Sequence, residues 1–127
     1  MVTTQRNGQR DRVPPHPDVR EIGLQQVLEA VVDPVRRRIV AELDAAAEDL
    51  ACGTIDLPVS KSTATHHFHV LREAGLIRQY YRGTSRMNAL RREEFEEAFP
   101  GLLGALRVER ERGRSGPPAA QPGPPAA

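Results

Sequence analysis

The sequence predicts a small, mainly α-helical domain carrying one β-hairpin, and three observations predict it. A helix with start and stop signals at both ends spans Lys61 to Ala74. It runs straight into two β-rich stretches, Leu76 to Arg82 and Ser85 to Leu90, separated by Gly83-Thr84. Segments with apolar residues at helical spacing lie before and after this unit. A helix that passes at once into a basic hairpin is the winged form of the helix-turn-helix.

The helix is built to be held by one face and to present the other. Ser60 is a good N-cap, Lys61-Ser62-Thr63 makes a hydroxyl-rich first turn, and Gly75 stands where a left-handed residue ends a helix. Ala64, Phe68 and Leu71 recur at i, i+4 and i+7 with His67 beside them, giving an apolar stripe for a core. The opposite face carries Ser62, Thr65, His66 and His69. These short or planar donors and acceptors suit base edges in a major groove, and Lys61, Thr63 and Arg72 flank them for the phosphate backbone. A plainly solvated helix face is usually charged, whereas this one is uncharged but hydrogen-bonding. In the hairpin, Arg78, Arg82, Thr84 and Arg86 suit phosphates or a minor groove, with Arg82 and Arg86 flanking the tip.

The stretch Asp33-Pro34-Val35-Arg36-Arg37-Arg38-Ile39-Val40, followed by Ser60 to Ile77, resembles the ArsR (arsenical-resistance repressor) family of dimeric winged-helix transcription regulators. The family's D-P-x-R-x-x-I-L segment and its S-x-S-x-x-S-x-H-L-x-x-L-x-x-A-G-L recognition helix are both met with small changes: Val40 for Leu, Thr65 for Ser and Phe68 for Leu. The match covers about residues 20 to 103. The resemblance implies a homodimer formed through the first and last helices that binds double-stranded DNA at a palindromic operator as a repressor. Leu24, Val27, Leu28 and Val31 on the first helix, and Phe99, Leu102, Leu103 and Leu106 on the last, are the residues expected at that interface.

Composition agrees with one domain. Of 127 residues, about a hundred remain once polar and Gly/Pro/Ala-rich ends are set aside, enough for one modest core. A net charge of +1 implies nothing about partners, but its distribution does. From Lys61 to Arg92 there are seven basic residues against one acid, Glu73, while Glu21 to Leu50 holds three arginines against seven acids. Positive charge gathered on the candidate reading head is the footprint of a DNA-binding face. The single cysteine, Cys52, excludes an intramolecular disulfide framework and suits a reducing cytoplasm. No apolar run is long enough for a signal peptide or membrane span, so no membrane partner and a cytoplasmic location are expected.

In chain order, residues 1–18 read as a polar, proline-punctuated, disordered arm, and 19–112 as the DNA-binding and dimerisation domain. Arg20 to Val32 is expected to be the first helix. Asp33 caps a second with Pro34 at its first position, where the missing N–H costs nothing, and Val35, Ile39 and Leu43 form its buried stripe. The three arginines Arg36 to Arg38 are expected to face outward, toward DNA phosphates or acids such as Asp33 and Glu42. Between Ala45 and Pro58 a glycine and β-branched residues make a poor helix, so a single turn or irregular piece is expected there. After the hairpin, Arg91 to Glu97 begins a helix with Phe95 inward, and Pro100 suits the start of a final one. Residues 113–127 form a Gly/Pro/Ala-rich tail expected to be disordered.

Neither metal site familiar in the ArsR family can be assembled. The thiolate site needs Cys-x-Cys where this chain has Cys52-Gly53-Thr54, and the other needs a histidine on the last helix, but none follows His69. No metal or other cofactor is therefore expected, and the effector is unassigned. No phosphate loop, nucleophile elbow, HExxH or carboxylate pair stands out, so no enzymatic activity is expected. Two alternatives stay open: a winged-helix protein-interaction module, and a thiol-based redox regulator using Cys52.

Overall fold

The computed structural model describes residues 15–115. Residues 1–14 of the expected arm and 116–127 of the expected tail lie outside them. A 3-10 turn at Val19–Glu21 leads into helix α1 (Leu24–Val31) and α2 (Pro34–Ala46), then a short strand β1 (Leu50–Ala51) and a 3-10 turn at Cys52–Thr54. Helix α3 (Lys61–Glu73), strands β2 (Ile77–Arg82) and β3 (Ser85–Leu90), and helices α4 (Arg92–Ala98) and α5 (Leu102–Ser115) complete it.

Local chemistry sets the helix starts. Asp33 Oδ1 accepts from the backbone N–H of Val35 at 2.7 Å and Arg36 at 3.3 Å, and Ser60 Oγ accepts from Thr63 N–H at 3.2 Å. The core between the helices and one face of the sheet is Val27, Ile39, Leu43, Phe68, Leu71, Leu76, Ile77 and Phe95, all buried. The sheet is antiparallel in the order β1-β3-β2. Its hairpin register pairs Ile77 with Leu90 and Arg82 with Ser85.

Several expectations need correction. The hairpin has a third strand: Leu50 and Ala51 pair with Asn88 and Met87. The segment before α3 is, as expected, a single turn, the 3-10 turn at Cys52–Thr54. Residues 15–18, expected within the disordered arm, are tied to the domain. The backbone N–H of Gln79, on the open edge of β2, donates to His16 Nε2 at 2.9 Å, and Arg91 donates to Pro17 O at 2.9 Å. Asp18 caps the first 3-10 turn, accepting from Arg20 N–H at 3.0 Å. Pro100 lies in the turn before α5, which begins after Gly101 at φ 90°.

Arg36 and Arg37 do not reach outward. Arg36 Nε donates to Ala30 O at 2.7 Å, and Arg37 Nη1 to Val31 O at 2.8 Å and Val32 O at 3.1 Å, so the pair caps the open carbonyls of α1. Arg38 keeps the expected contact with Glu42, at 3.9 Å, and Arg37 also stands 3.8 Å from Glu109 on α5.

The residues assigned to dimerisation divide into two sets. Val27 and Val31 are buried in this chain's own core, as is Leu103, because the apolar arc of α1 is broader than one contact and α5 folds back on α2. Leu102, Leu106 and Phe99 are partly buried against the same core. Leu24 and Leu28 stay half exposed, and Val32 and Val108 join them at the surface.

Helix α5 is clamped through Asp44. Its carboxylate accepts from Arg107 at 2.8 and 3.1 Å and from Arg92, and Arg110 stands 3.9 Å away while donating to Ala41 O at 3.1 Å. The hydrogen bonds from Arg107, with those from Arg92, hold the Asp44 carboxyl at about 2. A carboxyl depressed in the folded state adds stability above its ordinary value of 3.8, and that stability is lost as pH falls through about 2. A shift of this size corresponds to about 2 kcal/mol at most, and the exposure of Arg92 and Arg107 to solvent reduces it to about 1 kcal/mol. Asp44→Asn is therefore expected to lose about 1 kcal/mol at neutral pH in urea unfolding. The difference from wild type should shrink on acidification below 3.8; a constant difference down to the lowest pH would show that the clamp is not electrostatic.

Candidate nucleic-acid interface

Helix α3 turns Phe68 and Leu71 into the core and leaves Lys61, Ser62, Thr63, Thr65, His66 and His69 exposed. Ser62, Thr65, His66 and His69 form one continuous outward stripe at i, i+3, i+4 and i+7. Their hydrogen-bonding states differ. Thr65 Oγ1 donates back to Lys61 O at 3.0 Å and so offers lone pairs outward, while Ser62 Oγ lies 3.4 Å from Ser60 Oγ. Thr63 Oγ1 accepts from Ser60 Oγ at 3.0 Å, within the capping turn. His67 is buried, and Arg36 Nη1 donates to its Nδ1 at 2.9 Å, which ties α3 to α2. Burial lowers the His67 pKa.

Arg72 was expected at the phosphate backbone, and its placement corrects that expectation. It is 2 % exposed. Its Nη1 donates to Gln79 Oε1 at 3.0 Å, and its Nη2 to His69 Nδ1 at 2.9 Å and to Glu73 at 3.3 Å. A guanidinium so enclosed cannot reach a phosphate. The signal was present in the spacing, since Arg72 follows Phe68 by four residues and so shares its inward face. Arg91 and Arg92 are likewise engaged within the chain, with Glu94 and Asp44. The positive charge that stays at the surface of the reading head is that of Lys61, Arg78, Arg82 and, half-buried, Arg86.

The wing holds its arginines in place. Tyr80 donates its hydroxyl proton to Asp49 Oδ2, and Arg82 Nη2 donates to Tyr80 Oη at 3.1 Å with its guanidinium 5.9 Å from the Tyr80 ring centroid. Arg86 stacks on Tyr81 at 5.6 Å. Gly83, at φ 64°, and Thr84 make the tip. Neither tyrosine was singled out from sequence, although Tyr80-Tyr81 beside two arginines carries the pattern of aromatic support for cations.

Cys52 is half-buried and accepts from Asn88 Nδ2 at 3.2 Å. Burial pushes its thiol up, which makes it a sluggish nucleophile. Among the described residues no three histidines, cysteines or acids gather as a metal site. No helix of the described residues is long and apolar enough to cross a membrane.

Residues 31–80, from the end of α1 to the middle of β2, match the family described as "Helix-turn-helix domain". The HTH-type transcriptional regulator YceK of Bacillus subtilis (strain 168), itself uncharacterised, is 32% identical over 83 residues, which make up 64% of this chain and 83% of that protein. The chain belongs to the helix-turn-helix transcriptional regulators. Two crystal structures share the fold of this regulator. An ArsR family transcriptional regulator superposes with a TM-score of 0.53 at 22% identity, over 72% of this chain and 97% of its own. The transcriptional repressor BigR from Xylella fastidiosa gives 0.53 at 16% identity, over 86% and 96%. The regulator thus has the ArsR-type winged helix as its fold, with α3 leading directly into the β2–β3 hairpin as the wing.

Proposed function

We propose that this DNA-binding regulator is a cytoplasmic repressor that occludes a palindromic operator as a homodimer. The observation that carries the reading is the outward stripe Ser62, Thr65, His66 and His69, uncharged and hydrogen-bonding, set beside a wing whose Arg82 and Arg86 rest on tyrosines. Ser62, Thr65, His66 and His69 read base edges, and Lys61, Thr63, Arg78, Arg82, Thr84 and Arg86 hold phosphate or minor groove. BigR's description as a repressor and the ArsR-type fold support the direction of control. A two-fold dimer sets two recognition helices on one side of the duplex, so half-sites lie about one helical turn, or a small multiple, apart.

Reading and holding separate by mutation. His66→Ala is expected to relax base preference at one position per half-site by about 1–3 kcal/mol. Arg82→Ala should instead weaken all duplexes alike and lower the salt slope by about one. Operator and scrambled duplexes titrated at several salt concentrations check both. Unchanged specificity in His66→Ala would show that the outward stripe is not the reading surface.

A further inference from the structure

Resting on the DNA-binding reading above, we infer that His69 is a fixed hydrogen-bond donor which reads a purine N7 in the major groove through Nε2–H, and that Arg72 is the positioning residue that fixes it. A guanidinium only donates, so in the 2.9 Å contact between Arg72 Nη2 and His69 Nδ1 the imidazole nitrogen is the acceptor. A ring whose Nδ1 accepts carries its proton on Nε2, and the other hydrogen bond of a histidine sets the tautomer in this way.

The guanidinium is held in place from behind. Arg72 is 2 % exposed and its Nη1 donates to Gln79 Oε1 at 3.0 Å. Gln79 Nε2 then donates to Asn88 Oδ1 at 2.8 Å, and Asn88 Nδ2 donates to Leu50 O at 3.2 Å. Every link runs one way, outward from the cation and ending on a backbone carbonyl. Turning either amide round would set an N–H₂ group against a donor. Gln79 and Asn88 are buried, so no water replaces a reversed link.

His69 itself is exposed, in the stripe with Ser62, Thr65 and His66. A locked Nε2–H suits the acceptors of a base edge and rejects the exocyclic amines of cytosine and adenine, which are donors. The acceptors also include guanine O6 and thymine O4, so the Nε2–H alone excludes only cytosine, whereas a contact made at N7, which both purines carry, accepts either purine on the strand it faces.

Two measurements on the unaltered protein decide the matter. The first is the ¹⁵N spectrum of its histidine rings at neutral pH, in which His69 is expected as the Nε2–H tautomer. The second uses a duplex selected by the protein from a random pool and resynthesised with 7-deazapurine at each purine in turn. One substitution per half-site should weaken binding roughly fivefold, the loss of one hydrogen bond. His69→Ala should be indifferent to that substitution. In Arg72→Met the tautomer preference should vanish and purine discrimination with it, while affinity for random duplex stays.

An Nδ1–H tautomer in the wild type, or tolerance of 7-deazapurine at every position by a protein that binds its selected duplex, would overturn the inference. A protein that selects no duplex at all would overturn the DNA-binding reading, and the base contact with it, whatever the tautomer. Should Arg72→Met fail to fold, the wild-type spectrum and the deazapurine scan still decide.

Discussion

Replacing Leu24 and Leu28 together by glutamate is expected to leave a folded monomer whose operator affinity is lower by about a hundredfold or more. The two side chains sit one turn apart on α1, 53% and 47% exposed, with Val32 at 69% one turn further on. An exposed apolar stripe at i, i+4 and i+8 is the surface that the proposed isologous contact between two copies would use. Since neither leucine is in the core, the double variant should melt within about 1 kcal/mol of wild type, as surface substitutions do. Without the dimer, the second half-site is no longer tethered, and the gain from effective concentration, about 10²–10⁴-fold, disappears. Light scattering after gel filtration, with operator titrations on the same samples, checks it. A dimer persisting in the double variant would place the interface elsewhere. Leu103, by contrast, is buried against its own chain, so a charge there would unfold the domain and test nothing about assembly.

Gly75→Ala is expected to cost about 3 kcal/mol and to lower the melting temperature by roughly 10–20 °C. Two effects add. The residue adopts φ 77°, where a side chain costs about 1–2 kcal/mol. The new Cβ would also lie 2.6 Å from Ile22 Cδ1 and 3.2 Å from Val19 Cγ2, because the first 3-10 turn is seated on the end of α3. Overpacking of that kind costs a further ~1–3 kcal/mol. Ile22→Val removes the nearest atom, so in the double variant about 1 kcal/mol of the loss should be recovered and the rest, which is backbone strain, should remain. Strict additivity of the two changes in chemical denaturation would refute the close approach.

Most of this fold was legible because its signals are local. Asp33-Pro34, Ser60 and Gly75 mark helix ends by rules that need no tertiary knowledge, and Gly83-Thr84 between two β-rich runs marks a hairpin. What was hidden depends on packing. Strand β1 is two residues long and acquires its identity only by lying beside Asn88 and Met87. The apolar arc of α1 serves two surfaces, and spacing alone does not say that Val27 and Val31 turn inward while Leu24 and Leu28 do not. Charge was the most misleading cue. Arg36 and Arg37 cap a neighbouring helix, Arg92 and Arg107 serve Asp44, and Arg72 is enclosed, so part of the basic cluster is internal bracing. In the candidate site, the exposed stripe of α3 followed from helical phase, whereas the support of Arg82 by Tyr80 and Asp49 needed the sheet to bring residues 31 apart in sequence together.

The enclosed chain from Arg72 through Gln79 to Asn88 also bears on how the molecule moves. Opening the hairpin away from α3 would strand a guanidinium and two amides in an apolar interior, while opening α3 alone would strand the same groups from the other side. Helix α3 and the wing are therefore expected to open as one cooperative unit, with amide exchange in β2, β3 and the second half of α3 showing a common opening free energy. A displacement confined to the wing, or to the helix alone, would have to break this chain, whereas a displacement of the two together would leave it intact.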